Sequence, residues 1–422
     1  MKIFKFGGAS VKDAQGFKNV GQIIAQNCGQ PLIIVVSALG KMTNKMETLL
    51  AAYFNNSVDK NSIFETIKKE HEQIVFNLFE NVQSPVNQLI ASIFEELYKK
   101  LQTQASENYD FEYDQIVSVG ELLSSVILSE YLNSLKINNE WKDARRLIRT
   151  DNNYREGNVD WEKTSRKIGQ QIVPLFEENK QQIIVTQGFI GGTNERFTTT
   201  LGREGSDFSA AIFGYATDAQ SVTIWKDVEG LLNADPKRFS DTVKLSQIPY
   251  TEAIELAYYG ASVIHPKTIQ PLKKKNIPLY VKSFLHPQNA GSLIDTAKNC
   301  KNIPPCFICK PHQVLISLSL RDFSFISQDS IVELFATCSH YGFKINLMQN
   351  SALSFSICVD YKKNLEDLVT ELQKKYFVKY NLNMELITIR YYHEAAIKKA
   401  VGNKKIILEQ RNRTMAQFVV PE

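Results

Sequence analysis

The sequence predicts an α/β protein with a mainly parallel central sheet sandwiched by helices, followed by a small α+β domain. Three observations carry this. The chain opens strand, turn, helix, strand, and its second strand, Leu32–Val36, is an unbroken apolar run, as in a strand buried on both faces of a parallel sheet. Helical stretches and short apolar runs then alternate as far as residue 281, the order of a layered α/β domain. The composition changes at 299–311, which is rich in Cys, Pro and Lys, and a β-α-β-β-α order follows. A length of 422 residues suits two or three domains.

Each element has its own signal. Lys2–Phe6 alternates and stops at Gly7-Gly8, a strand ending in a tight turn. Phe17–Asn27 has helical periodicity. From about Lys45 to about Lys136 the chain reads as almost wholly helical, an inserted or lid-like block; Glu65–Phe79 and Leu89–Leu101 show apolar residues three and four apart. Trp161–Phe176 reads as one helix, Ile183–Thr186 as a strand, Gly205–Tyr215 as a helix and Ser221–Trp225 as a strand. Thr251–Tyr259 and Pro266–Lys275 are helices, and Leu279–Val281 is the last buried strand of the first domain. These residues set the domain at 1–298, a linker at 299–311 and a second domain at 312–422. In the second domain the expected elements are strand Val314–Leu320, helix Ser330–Tyr341, strands Lys344–Gln349 and Ser354–Val359, and helix Asn364–Tyr376. Strands Glu385–Tyr391, Lys405–Gln410 and Gln417–Val420 follow, with no long helix between them.

Composition excludes several classes. The hydrophobic fraction of 43% and charged fraction of 22% fit a globular protein with a sizeable core. A net charge of +4 with dispersed Lys and Arg argues against a nucleic-acid partner, and Lys273–Lys275 reads as a solvated helix end. No apolar run approaches the roughly 20 residues of a membrane helix, and the N-terminus does not read as a signal peptide. The six cysteines fit reduced thiols in the cytoplasm. Cys306 and Cys309 form a lone C-x-x-C among prolines, without the second pair that a zinc site needs.

Four stretches carry chemistry. Lys5-Phe6-Gly7-Gly8 ends the first strand; a glycine pair there lets backbone N–H groups approach an anion, and a lysine beside it reaches phosphate oxygens. Ser37 to Thr43 follows the second strand, where open α/β sheets bind ligands. Thr43 is equally readable as the cap of the next helix. Glu121, after Gly120 at a helix start, is a dipole partner or a receptor for an ammonium group. Thr198-Thr199-Thr200-Leu201-Gly202-Arg203-Glu204-Gly205-Ser206-Asp207 is the most informative stretch. It is a hairpin and Gly-bounded turn entering a helix, whose N–H groups converge on an anion. Arg203 adds a fork suited to a carboxylate, and Asp207 a group to position a lysine or a metal.

With KFGGASV at 5–11, VVSALGKMTN at 35–44, VSVGELLSS at 117–125, TTTLGREGSDFSAA at 198–211, WKDVEGLLNADPKR at 225–238 and YYGASVIHPKTI at 258–269, the chain resembles the aspartate kinases of the amino acid kinase superfamily. The resemblance spans about 1–295, and the C-terminal unit resembles their ACT-type regulatory region, a ferredoxin-like fold with its second repeat shortened. It implies transfer of a phosphoryl group from ATP, carried with Mg²⁺, to L-aspartate, the first step toward lysine, threonine and methionine. Lys5 and Asp207 are then the catalytic pair. Ser37, Thr43, Glu121, Arg203 and Ser206 hold the substrate. Lys5, Phe6, Gly7, Gly8, Lys226, Asp227 and Lys237 hold ATP, and no dedicated metal ligands are expected. It further implies a homodimer or higher homo-oligomer, an amino-acid effector of open identity in the ACT-like region, and no room for an appended homoserine dehydrogenase domain. Four departures stand out. Glu204 replaces a glycine and reads as pointing outward. Lys226 replaces a threonine. Ser262 stands where a phosphate-binding lysine is usual, so that Lys226 is expected to supply its charge. Asn346 replaces an aspartate in the effector segment. His265 reads as a packed residue at a helix start. The alternatives are another carboxylate or amino acid kinase, and a non-catalytic amino-acid sensor of the same fold.

Overall fold

The computed structural model describes residues 1–79, 85–261, 264–297, 303–321 and 324–422. Two compact units result: Met1–Leu231, Lys244–Ile254 and Val263–Cys300 make the first, and Leu232–Val243, Glu255–Ser262 and Lys301–Glu422 the second. The boundary is therefore not one cut near 298, since two short excursions of the N-terminal part belong with the C-terminal unit.

The first unit is built from β1 (Lys2–Phe6), α1 (Ala14–Ala25), β2 (Leu32–Val36), α2 (Met42–Phe54), α3 (Lys60–Phe79), α4 (Pro85–Leu101), α5 (Tyr109–Val117), α6 (Val119–Ser134), β3 (Glu140–Lys142), α7 (Ala144–Leu147), α8 (Trp161–Gln171) and α9 (Val173–Glu178). It continues with β4 (Ile183–Gln187), β5 (Ile190–Gly192), β6 (Thr198–Thr200), α10 (Gly205–Ala216), β7 (Ser221–Lys226), β8 (Gln247–Pro249), α11 (Tyr250–Tyr259), which runs on into the second unit, α12 (Pro266–Lys275), β9 (Leu279–Ser283) and β10 (Ser292–Asp295).

Eight strands form one sheet in the order β3-β4-β2-β1-β7-β9-β10-β8. Every pair is parallel except β9 with β10. All five residues of β2 are fully buried, as its unbroken apolar run requires, each contributing about 1.5–3 kcal/mol. Because β1 lies between β2 and β7 in register, Lys5 stands beside Val35 and Ile224, one residue short of the carboxyl ends of β1 and β2. The helical block packs on one face, with α6 at its centre and almost every α6 residue buried. A helix buried all round has no polar face, so a carboxylate on it is sealed from water.

Three sequence readings change here. The expected helix over Trp161–Phe176 breaks into α8 and α9, because Pro174 in the first turn of α9 cannot donate to a continuous helix. Strands β3, β8 and β10 were not expected; they are three or four residues long, too short for a periodic signal, and β10 follows Leu279–Val281 as the last strand of the first unit. His265 caps α12, its ring accepting from Lys267 N–H at 3.2 Å.

The second unit holds β11 (Cys306–Leu320), α13 (Gln328–His340), β12 (Ile345–Asn350), β13 (Ser354–Asp360), α14 (Leu365–Gln373), β14 (Tyr376–Arg390), α15 (Glu394–Val401), β15 (Leu408–Arg411) and β16 (Met415–Pro421). Its six strands are antiparallel, in the order β12-β13-β11-β14-β16-β15. The expected linker is corrected from residue 306 onward: Cys306–Lys310 pairs with Arg390–Leu386, and Pro311 falls where the register shifts between Lys310 and Gln313, a bulge that needs no donor there. Residues 299–302 lie outside the described residues. Cys306 and Cys309 are free thiols on that strand. A helix, α15, does stand between the last strands, eight residues long.

Candidate active site

The ends of β1, β2 and β7, the start of α10 and the buried helix α6 converge on a cavity of about 760 Å³ in the first unit. At its floor Lys5 Nζ lies 2.7 Å from Asp207 Oδ1, and Lys226 Nζ lies 3.3 Å from Asp207 Oδ2. The Asp207 side chain is 3% exposed. Burial pushes its carboxyl upward, but the charges and hydrogen bonds of Lys5 and Lys226 outweigh this and hold it below the usual carboxylate range. One carboxylate thus fixes two ammonium groups on the cavity wall.

Glu121 sits on the opposite balance. Burial raises its carboxyl to about 8, against weaker lowering by backbone N–H groups of Ala38 and Glu121 itself and by Lys5. Its Oε2 is buried in the cavity wall without a hydrogen-bond partner. A buried carboxyl oxygen lacking a partner is costly unless a donor or cation is supplied.

Backbone glycines shape the wall between these groups. A Cβ on Gly8 would lie 2.6 Å from Gly40 O and 2.8 Å from Ala38 O, and Gly40 N–H donates to Gly8 O at 2.9 Å. The turn after β1 is therefore clamped to the turn after β2, which presents Ser37 and Thr43 to the cavity. Thr43 lies inside the first turn of α2, whose cap position is Lys41, so it lines the cavity rather than capping.

The structure brings together Lys5, Gly8, Ser37, Thr43, Glu121, Arg203, Ser206, Asp207 and Lys226. Others fall elsewhere. The Phe6 ring is fully buried and stacks on Trp225 at 6.0 Å, so it belongs to the core. Gly7 does not line the cavity, though a Cβ there would stand 3.3 Å from Lys5 Nζ. Asp227 is exposed beyond β7 and outside the lining. Lys237 is exposed and belongs to the second unit. Ser262 lies outside the described residues. Glu204 corrects its expectation: it adopts φ 54° at the start of α10, lines the cavity, and its Oε2 is shielded from solvent without a hydrogen-bond partner.

Sequence reasoning missed one wall. The loop 151–159 places Tyr154 and Arg155 against the cavity. Buried Asp114 holds this loop: its Oδ2 accepts from Arg155 N–H and Thr200 N–H, both at 2.9 Å, and its Oδ1 from the Thr200 hydroxyl at 2.7 Å. The Arg155 guanidinium stacks 4.5 Å above the Tyr113 ring and reaches Asp110 at 3.2 Å. No motif spacing signals this, because the contacts join residues 41 and 86 positions apart.

Among the described residues no group of three or more His, Cys, Asp or Glu is arranged to hold a metal ion.

A parallel sheet whose strand ends carry lysines, glycine turns and a helix N-terminus defines a phosphate-handling α/β enzyme. Residues 1–283 match the amino acid kinase family, and the chain belongs to it. Among curated relatives, the lysine-sensitive aspartokinase 3 of Escherichia coli (strain K12) is 28% identical over 363 residues, covering 85% of this chain and 78% of that protein. The bifunctional aspartokinase/homoserine dehydrogenase of Buchnera aphidicola is 30% identical over 91% of this chain but only 49% of its own length. The crystal structure of E. coli aspartokinase III in complex with lysine and aspartate superposes with a TM-score of 0.82 at 25% identity, covering 100% of this chain and 96% of that one. The complex of the same enzyme with aspartate and ADP gives the same values.

Proposed function

We propose that the chain is an aspartate kinase: it transfers the γ-phosphoryl group of ATP to the side-chain carboxylate of L-aspartate, the first step of aspartate-family amino-acid synthesis in the cytoplasm. The carrying observation is the Lys5–Asp207–Lys226 cluster lining one cavity with Glu121, whose Oε2 has no hydrogen-bond partner. A carboxylate oxygen of aspartate attacks the γ-phosphorus while the bond to the bridging oxygen breaks, and ADP leaves with that electron pair. The nucleophile is already an anion, so no general base is needed. Lys5 and Lys226 stabilise the charge that develops on the phosphoryl oxygens, preorganised by Asp207. Gly8 lets the backbone approach the phosphates, and Mg²⁺ arriving with ATP neutralises them further. Arg203 clamps a substrate carboxylate, Glu121 receives the ammonium group, and Ser37, Thr43 and Ser206 fix the orientation.

Lys226 takes the part of the lysine that Ser262 lacks. Its support is its place on the cavity, 3.3 Å from Asp207. Lys226→Ala should raise the KM for ATP roughly tenfold and lower kcat; unchanged values of both would discard this role. In the second unit, Asp360 Oδ1 accepts from Asn346 Nδ2 at 3.1 Å, and Lys310 reaches the same carboxylate at 3.0 Å. That carboxylate is thus taken up within the unit by Lys310, Gln313 and Asn346. Pairing of copies through the edges of the six-stranded sheet completes this reading.

The function is tested by ADP release with Mg-ATP and L-aspartate, L-glutamate or no acceptor, with hydroxylamine present to trap an acyl phosphate. Aspartate-dependent release with trapped hydroxamate is expected. Folded protein that binds aspartate but turns over no acceptor would be a sensor instead.

A further inference from the structure

A second cavity of about 660 Å³ lies in the first unit, lined by Arg145, Arg146, Arg149, Lys167 and Arg196 with Asp143 as its sole carboxylate. That carboxylate is already committed. Asp143 Oδ1 accepts from Arg145 Nε at 2.9 Å and Oδ2 from its Nη2 at 2.7 Å, while Oδ1 also caps the Arg145 N–H at 3.0 Å. Arg145 and Asp143 cancel, and four cations remain.

Arg149 is half-buried and held by neutral acceptors alone, its two terminal nitrogens donating to Arg145 O and Thr193 O. The carboxylates nearest in charge to it are Glu195, which is exposed, and Asp160, which caps α8 and pairs with Lys163 at 3.1 Å. Arg146, Lys167 and Arg196 are exposed, and their side chains have no ion-pair or hydrogen-bond partner among the described residues. Lys167 and Gln171 stand four apart on α8 and so share one face. A cleft walled by one sign of charge concentrates anions, and guanidinium forks match the oxygens of phosphate.

We infer that this cleft is a binding site for a small polyphosphate anion, separate from the catalytic cavity. These four cations exceed what the exposed Glu195 carboxylate beside Arg149 balances, whereas a di- or triphosphate carries three or four charges in a volume that this cleft holds. The site is also wired to the catalytic walls. Arg149 bridges to Gly192 on β5, the Thr150 and Thr199 hydroxyls meet at 2.6 Å, and residues 153–156, just after Thr150, and 202–207, just after β6, line the catalytic cavity. An anion that gathers Arg146, Arg149 and Arg196 restrains the roots of both segments.

The test is calorimetric titration of inorganic triphosphate at fixed salt into the full chain and into Arg146→Ala/Lys167→Ala/Arg196→Ala, with amide hydrogen exchange in parallel. All three positions are exposed, and an unchanged melting temperature of the unliganded variant confirms its fold. In the parent protein, protection is expected over 144–149 and 192–196, lost in the variant together with an at least tenfold weaker Kd. Equal protection by ADP would identify the ligand as a nucleotide's phosphate tail, and protection by triphosphate alone as an inorganic polyphosphate; both support the site. Identical affinity in both proteins, with protection confined to 5–8 and 205–207, overturns it. So does protection by a short RNA with none by triphosphate, which would make the patch a nucleic-acid surface.

Discussion

At the scale of single residues, the site places two buried carboxyls in opposite states. Two ammonium groups hold Asp207 below the usual carboxylate range, whereas burial raises Glu121 to about 8 against only a weaker pull from Lys5 and backbone N–H groups. The consequence for stability has a definite sign. A carboxyl raised from its ordinary value to about 8 stabilises the fold fully below pH 4.5, and that stability is lost as pH rises to 8. Glu121→Gln should therefore melt higher than the parent at pH 8, by on the order of a few kcal/mol, with the difference vanishing near pH 4.5. A difference independent of pH would show that Glu121 is already ionised. The same carboxyl links substrate to protons: an ammonium group bound there ionises it. Calorimetry of aspartate binding at pH 7 in buffers of different ionisation enthalpy should report about one proton released, and none from the Gln variant.

At the scale of elements, legibility follows the range over which a signal acts. β1, β2 and α12 were readable because an apolar run, a glycine pair or a Pro at a helix start acts within a few residues. Lys5, Ser37, Thr43, Arg203 and Asp207 were readable for the same reason, each standing inside a short motif at a strand or helix end. Val314–Leu320 was readable as a strand, but the first part of β11, Cys306–Pro311, was misread as linker, because its pairing with β14, some 80 residues later, overrides a Pro- and Lys-rich composition. The loop 151–159 was invisible because Asp114 organises it from α5. That anchor makes a prediction. In Asp114→Asn one oxygen becomes an N–H₂ group, from which the Thr200 hydroxyl can turn to accept, while the remaining amide oxygen holds the Arg155 and Thr200 N–H groups without a carboxylate's charge. The loss is about 1–3 kcal/mol of local order. The KM for aspartate should rise severalfold, with faster amide exchange at 151–156 and 198–200; parent-like exchange there would mean that the loop is held by other contacts.

At the scale of the whole molecule, the chain order of the two units is not their boundary in space. Residues 232–243 belong to the second unit for physical reasons within it. Phe307 N–H donates to Asn233 O at 2.7 Å, the Phe239 and Phe307 rings stack at 5.0 Å, and Arg238 pairs with Glu385. Glu385 is 1% exposed and also takes Lys404 at 3.0 Å. Burial alone would raise its carboxyl; the two cations reverse this and hold it low. Its contribution is therefore present above its unfolded pKa and lost as pH falls below the usual carboxylate range. Glu385→Gln leaves Arg238 and Lys404 partly in water, so the cost is that of weakened hydrogen bonds, about 1–3 kcal/mol. A protein of two units need not unfold in one step. In scanning calorimetry the variant should lower the transition of the second unit at pH 7 while leaving the melting of the first unit, and its protection by ADP, as in the parent. At pH 3 parent and variant should converge. A variant that instead lowered both transitions equally would show the two units to unfold as one, with the 232–243 excursion serving as the tie.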